Sequence, residues 1–272
     1  MDAQLPCRIV CLTEETTETL YRIGQADRIV GISGFTVRPP QARKEKPRVS
    51  AFTSARIDRI LALAPDLVLG FSDLQADIAQ ELIRAGVSVM VFNHRSVKGI
   101  LDMIKTLGAM VGASESAQVL IEECQANLEY ARARACTPRP RVYFEEWDTP
   151  QISAILWVSE LIEAAGGRDI FPELAQCPDG KSRIIPDPEE VVRRRPDIII
   201  GSWCGKKFRP EKVAARPGWS ATPAVKNNAL YEIKSAEILQ PGPAALSDGL
   251  SRLCTIIDSW HAAHERPEHE SG

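Results

Sequence analysis

Short apolar runs alternate with amphipathic stretches through the first third of the chain. "RIVCL" (8–12), "RIVGIS" (28–33), "DLVLGF" (66–71) and "VSVMVF" (87–92) are continuous apolar segments of strand length. Between them "ETTETLYRIG" is a helix closed by Gly24. A second helix centres on Asp58 to Leu63, beyond a Pro-rich loop, and a third runs over 75–85 and ends at Gly86. Strands separated by helices of this length predict a parallel sheet covered on both faces.

From Ser96 to about Ala135 the period changes and no strand is predicted. Ser96 can cap a helix that places Val97, Ile100, Leu101, Ile104 and Leu107 on one face. Gly112 breaks it, and Ser114 can cap a second helix with Ala117, Leu120, Ile121, Cys124, Leu128 and Ala131 on one stripe. About 20 residues at 1.5 Å each give ~30 Å, so this segment is expected to be a strut. The strand pattern returns at "VYFEEW" (142–147), followed by a helix around Trp157 to Ala165. A helix then runs into "DIIIG", another starts near Arg209-Pro210, "ALYEIK" is a strand, and a final helix runs from about Ala244 to Trp260. The expected division is an N-terminal α/β lobe (1–95), a helical strut (96–137) and a C-terminal α/β lobe (138–272).

One sentence is written twice. "IDRILALAPDLVLG" (57–70) aligns without a gap on "PEEVVRRRPDIIIG" (188–201): Asp58 faces Glu189, Pro65-Asp66 faces Pro196-Asp197, and Gly70 faces Gly201. The spacing is too long for a solenoid, whose periods run from about 20 to 50 residues. It predicts two similar Rossmann-like lobes with mainly parallel sheets, joined by the long helix. Ligands of such sheets bind outside the carboxyl ends of the strands, so a cleft between the lobes is expected.

Composition narrows the function. Hydrophobic residues make up 44% and charged residues 25%, with a net charge of −3. That is a soluble globular make-up with no case for nucleic acid. No apolar run approaches the ~18 residues of a membrane span. The opening "MDAQLPCRIVCL" has no basic n-region or apolar h-region. Either the protein is cytoplasmic, or it is periplasmic and its leader is missing from this sequence. Seven scattered cysteines without a C-x-x-C argue against a disulfide framework or a structural zinc site. No G-x-S-x-G, Walker motif or G-x-G-x-x-G after a strand is present, so no catalytic residue, metal or cofactor is expected. His94 follows a strand end; His261, His264 and His269 fall in or near an acidic tail and suit solvated positions.

The order and spacing of these segments resemble the periplasmic-binding-protein-like family that captures vitamin B12 and ferric siderophores for ABC importers. The likeness covers about residues 8 to 260 and is greatest to the vitamin B12 binders. "RIVCLTEETTETLYRIG" resembles the family's opening strand and Thr-Glu helix, and "VGISGFTVRPPQA" its first cleft loop. "DRILALAPDLVLG" and "EEVVRRRPDIIIG" resemble its paired helix–strand units, and "AGGRDIF" the turn after the first helix of the second lobe. The resemblance implies a monomeric substrate-binding protein that takes a corrinoid between its lobes, closes slightly, and delivers it to a membrane permease.

Permease docking would fall on Asp58 and Glu189; the alternative is that each acid only favours a helix N-terminus. Cleft-facing positions would fall on Phe35, Arg38, Phe52, Trp147 and Arg183, and Glu145, Glu146, Trp203 and Cys204 also stand where strands end. Trp147 and Trp203 either line the mouth or pack between lobes. Arg38 and Arg183 replace aromatic residues of the vitamin B12 binders. They either grip an anionic chelate or pair with Glu145 and Glu146. Lys206 and Lys207 beside Cys204 would favour its thiolate and a soft metal. The alternatives to a corrinoid are a ferric siderophore or haem, or service as a cytosolic carrier or sensor of a corrinoid or other metal chelate.

Overall fold

A computed structural model describes residues 5–264, in two compact units. The first comprises residues 5–94, 98–125 and 240–244, and the second 95–97, 126–239 and 245–264. The helix Ser114–Ala133 is continuous and contributes to both.

The first unit holds five parallel strands: β1 (Ile9–Cys11), β2 (Ile29–Ser33), β3 (Arg48–Ser50), β4 (Leu67–Phe71) and β5 (Val89–Phe92). Their order is β3-β2-β1-β4-β5, which reverses direction between β1 and β4. One core cluster forms from Val10, Leu12, Val49, Ile60, Val68, Ile78 and Leu82. Burying each such side chain contributes roughly 1.5–3 kcal/mol. The helices predicted at 58–63 and 75–85 are Ile57–Ala62 and Ala76–Arg84. The three-residue β3 was not predicted, because "RVS" is too short and polar to register as an apolar run.

In the second unit β6 (Arg141–Asp148) is central. β7 (Gln151–Ser153) pairs antiparallel with its last residues and β8 (Arg168–Asp169) parallel with its first. On the other edge β9 (Ile198–Gly201) and β10 (Leu230–Glu232) complete a parallel run. The antiparallel β7 was missed: only Thr149 and Pro150 separate it from β6, so the pair reads as one interrupted strand. The core holds Tyr143, Phe171, Val191, Ile199, Trp203, Phe208 and Trp219.

The repeat persists at atomic level. Each copy is a short helix, Ile57–Ala62 or Glu189–Arg193, ended by a left-handed residue (Ala64 at φ 44°, Arg195 at φ 49°) before Pro-Asp. The carboxylate of Asp66 then accepts the backbone N–H groups of Cys7 and Arg8 at the start of β1, at 2.7 and 2.9 Å. Asp197 does the same for Arg141 at the start of β6, at 2.8 Å, and also takes its guanidinium. Pro-Asp recurs because it anchors the sheet's central strand in each unit. At the other end of the strand, a Cβ on Gly70 would lie 2.9 Å from Gln75 Oε1, and one on Gly201 only 1.9 Å from the Phe208 ring.

Candidate functional site

Parallel strands deliver their following loops to one edge of a sheet, and a reversal of strand order opens a crevice there. In the first unit that edge carries the turn after β1, the loop Gly34–Gln41 and the loop Ala51–Arg56. Phe35 is 59% exposed and Val37 39% exposed on the first loop, and Phe52 is half-buried on the second. Arg38 precedes a cis proline and donates from Nε to Glu18 Oε1 at 3.3 Å. Gln75, which sequence reasoning took only as a helix start, ties these loops together. Its Oε1 accepts from Phe71 N at 2.9 Å, and its Nε2 donates to Leu12 O (3.4 Å) and Phe52 O (2.9 Å). Its only sequence signal is an amide four residues beyond Phe71, the last residue of β4.

In the second unit the adjacent glutamates take opposite faces of β6, as strand geometry requires. Glu145 is fully buried and is no surface group. Arg216 meets both its oxygens, at 2.6 and 2.9 Å, and Tyr143 OH and Trp203 Nε1 donate at 2.9 and 3.2 Å. Trp203 is 4% exposed and belongs to the core. The expectation that Glu145 and Trp203 present themselves at a loop mouth is therefore corrected: four donors around one carboxylate hold them inside. Burial and the adjoining Glu145 charge drive the Tyr143 phenol well above its ordinary pKa.

Glu146 is half-buried and pairs bidentately with Arg183, at 2.6 and 3.1 Å. Arg183 is itself buried and also donates to Ser153 O. Of the two fates weighed for Arg183, pairing with a neighbouring glutamate is what this structure contains. Trp147 is half-buried and donates to Thr149 O at 3.0 Å. Cys204 is exposed on the turn after β9. Lys206, expected to favour its thiolate, instead reaches Asp148 and lies over the rings of Trp147 and Trp203, at 5.5 and 5.1 Å. Among the described residues no three His, Cys, Asp or Glu side chains are grouped to hold a metal ion. His94 meets Pro241 O at 2.9 Å, His264 stacks on Trp260, and His269 lies outside the described residues.

Asp58 and Glu189 occupy matching first-turn positions, with side chains 70% and 81% exposed. Arg56 holds the Asp58 carboxyl below its ordinary range. Glu189 borders a groove of 620 Å³ whose walls include Pro188, Val192, Pro217 and Trp219. No helix among the described residues is long and apolar enough to cross a membrane.

The chain is 25% identical over 257 residues to a vitamin B12-binding protein of Vibrio campbellii, with 93% of this chain and 90% of that protein covered. It is 24% identical over 270 residues to an uncharacterized ABC transporter substrate-binding lipoprotein of Bacillus subtilis, covering 93% and 80%. Among solved structures, a possible iron-binding (periplasmic solute-binding) protein of Staphylococcus epidermidis superposes with a TM-score of 0.80 at 23% identity, covering 93% and 99%. The periplasmic vitamin B12 binding protein of Vibrio cholerae gives 0.74 at 23%, covering 94% and 98%. These superpositions establish the α/β fold. Residues 9–237 match the model of the periplasmic binding protein family, and the chain belongs to that family.

Proposed function

We propose that this protein is the capture component of an ABC importer, working outside the cytoplasm, and that its ligand is a corrinoid. The observation that carries the ligand class is the chemistry of the carboxyl-edge loops. They offer apolar and aromatic surface, exposed at Phe35 and Val37 and half-buried at Phe52 and Trp147. Large flat ligands favour such surface because rings bury much area at low entropic cost. Both candidate arginines are engaged by glutamates, Arg38 by Glu18 and Arg183 by Glu146, so neither is held ready for an anionic siderophore. Haem iron is commonly held by histidine or tyrosine. Those loops carry neither, apart from His94 against Pro241 O. A corrinoid brings its own axial ligand and needs neither. The relatives named as vitamin B12-binding proteins support the same assignment.

A second possibility, a ferric or haem chelate held by a thiolate, draws on the exposed Cys204. In this account Asp58 and Glu189 are the acids that meet the permease; their exposure and their matched places in the repeat support it. The test is a cyanocobalamin titration of four variants. Phe35→Ala and Trp147→Ala are expected to weaken binding tenfold or more, about 1.4 kcal/mol each. Asp58→Ala and Glu189→Ala are expected to leave the affinity unchanged while reducing uptake in vesicles with the importer. Loss of affinity in the last two would place those acids at the ligand instead.

A further inference from the structure

The first helix, Glu14–Arg22, buries chemistry that a helix of its composition would ordinarily expose. Glu14, Glu15 and Glu18 are 4%, 1% and 3% exposed. Glu15 Oε1 accepts from Thr13 Oγ1 at 2.5 Å, and Gly242 lies so close that a Cβ on it would be 2.6 Å from Glu15 Cβ. Glu18 accepts from Arg38 Nε and from Ala244 N, at 3.3 and 3.2 Å. Glu14 Oε2 accepts from Val37 N at 2.5 Å, while its Oε1 is buried with no partner among the described residues. Glu14 stands just past the end of β1, where the strand order reverses, and the Val37 N–H that it holds lies on the loop that carries Phe35 and Arg38.

The charges around this cluster do not balance it. Arg38 faces Glu18 from the loop, and Arg22 one turn on is committed to Glu123 of the helix Ser114–Ala133. Lys46 acts weakly on Cys11 from beyond the loop. The Cys11 and Cys124 thiols are both pushed up to about 12 by burial and stay neutral. His94 is directed to Pro241 O of the segment 240–244. Burial raises Glu14 and Glu15 to about 7 and raises Glu18 as well. A carboxylate binds a backbone N–H about twice as strongly as a neutral acceptor does. The state of Glu14 therefore changes the strength of the Val37 anchor within the ordinary pH range.

We propose that Glu14 is a proton-sensitive positioning residue: ionised, it holds Val37 N–H and sets Phe35 for the ligand; protonated, it releases the loop. The link to capture rests on the assignment of this loop to the ligand; the anchor itself does not. The sign follows from the raised carboxyl: affinity is full above the midpoint and falls as pH drops through it. A single linked proton limits the change to about tenfold per pH unit.

The test uses the whole isotope-labelled chain and two readouts. First, the Val37 amide proton is followed by NMR from pH 5.5 to 8.5, with and without Glu14→Gln. The expected result is a downfield shift with a midpoint near 7 in the native chain and none in E14Q. A flat native profile, or the same titration in E14Q, overturns the proposal. Second, cyanocobalamin affinity is measured at pH 6 and pH 8. A loss of about threefold or more at pH 6 in the native chain, absent in E14Q, supports the link to capture; equal pH dependence in the two overturns it. Should cyanocobalamin not bind at any pH, the corrinoid assignment fails while the amide titration still decides the anchor. Should E14Q be too unstable to use, Glu15→Gln serves as a control, because it removes a neighbouring buried carboxyl and leaves the Val37 titration in place.

Discussion

Replacing Arg216 with Met would isolate a buried charge. The methionine keeps much of the side-chain volume that lies over Trp219, where the guanidinium carbon sits 4.6 Å from the ring centre. It removes two charge-assisted hydrogen bonds to Glu145 and leaves only Tyr143 OH and Trp203 Nε1 as donors. Breaking a buried pair from one side typically costs about 3–5 kcal/mol. Glu145 has one escape, which is to take up a proton. Holding an ordinary glutamic acid protonated at pH 7 costs about 1.36 kcal/mol for each of roughly 2.7 pH units, or about 3.7 kcal/mol, and that sets the ceiling.

The variant then keeps a buried carboxylate with no cation beside it, and a proton relieves that cost. The penalty is present above the pKa of an unfolded glutamic acid and is relieved as pH falls toward it. The expected loss is about 3–4 kcal/mol at pH 7, shrinking by about 1.4 kcal/mol per pH unit to roughly 1 kcal/mol at pH 5. Denaturant unfolding followed by tryptophan fluorescence at four pH values measures it, with Trp203 and Trp219 beside the pair. A loss below 1 kcal/mol that does not change with pH would refute the reasoning, since Glu145 would then have to reach water or another cation.

Three further outcomes follow from single positions. Arg195→Gly should raise stability by about 0.5–1 kcal/mol, because the residue is exposed and holds a left-handed φ of 49° that costs a side-chain-bearing residue about 1–2 kcal/mol; thermal unfolding reads this, and destabilisation would mean Arg195 has a contact that matters more. Gly201→Ala should cost about 2–3 kcal/mol, since its methyl would enter the ring of the buried Phe208; an unchanged melting temperature would contradict the packing. Glu15→Gln should stabilise the fold by about 2–3 kcal/mol at pH 8 and hardly at all at pH 5. Burial raises that carboxyl to about 7, so the native chain loses stability as pH climbs from its unfolded value, and equal melting shifts at both pH values would refute it.

The parts legible in the sequence are those where a residue type has one backbone job. Pro-Asp in both repeats marks a carboxylate that caps the start of a central strand, and Gly70 and Gly201 mark places where a side chain crosses the strand closely. The alternation of strand and helix, and the long helix Ser114–Ala133, follow from period alone. The rest depends on distant partners. Glu145 stands where a strand ends, and its burial does not show there because Arg216, which neutralises it, lies 71 residues away in a turn with no pattern of its own. The run "EETTET" is polar throughout, yet every residue from Glu14 to Leu20 is buried, partly under the segment 240–244 far along the chain. β3, β7 and β8 are two or three residues long and mostly polar, so no apolar run marks them, whereas the equally short β1 is apolar throughout.

The most direct test of the central claim is a titration of the purified protein with cyanocobalamin, following the corrin absorption bands, with hemin and a ferric catecholate alongside. The account predicts one site for cyanocobalamin at micromolar affinity or tighter, about −8 kcal/mol, and weaker binding of the other two. No cyanocobalamin binding at about 100 μM, several kcal/mol short of that value, together with tight binding of hemin or the ferric chelate, would contradict it.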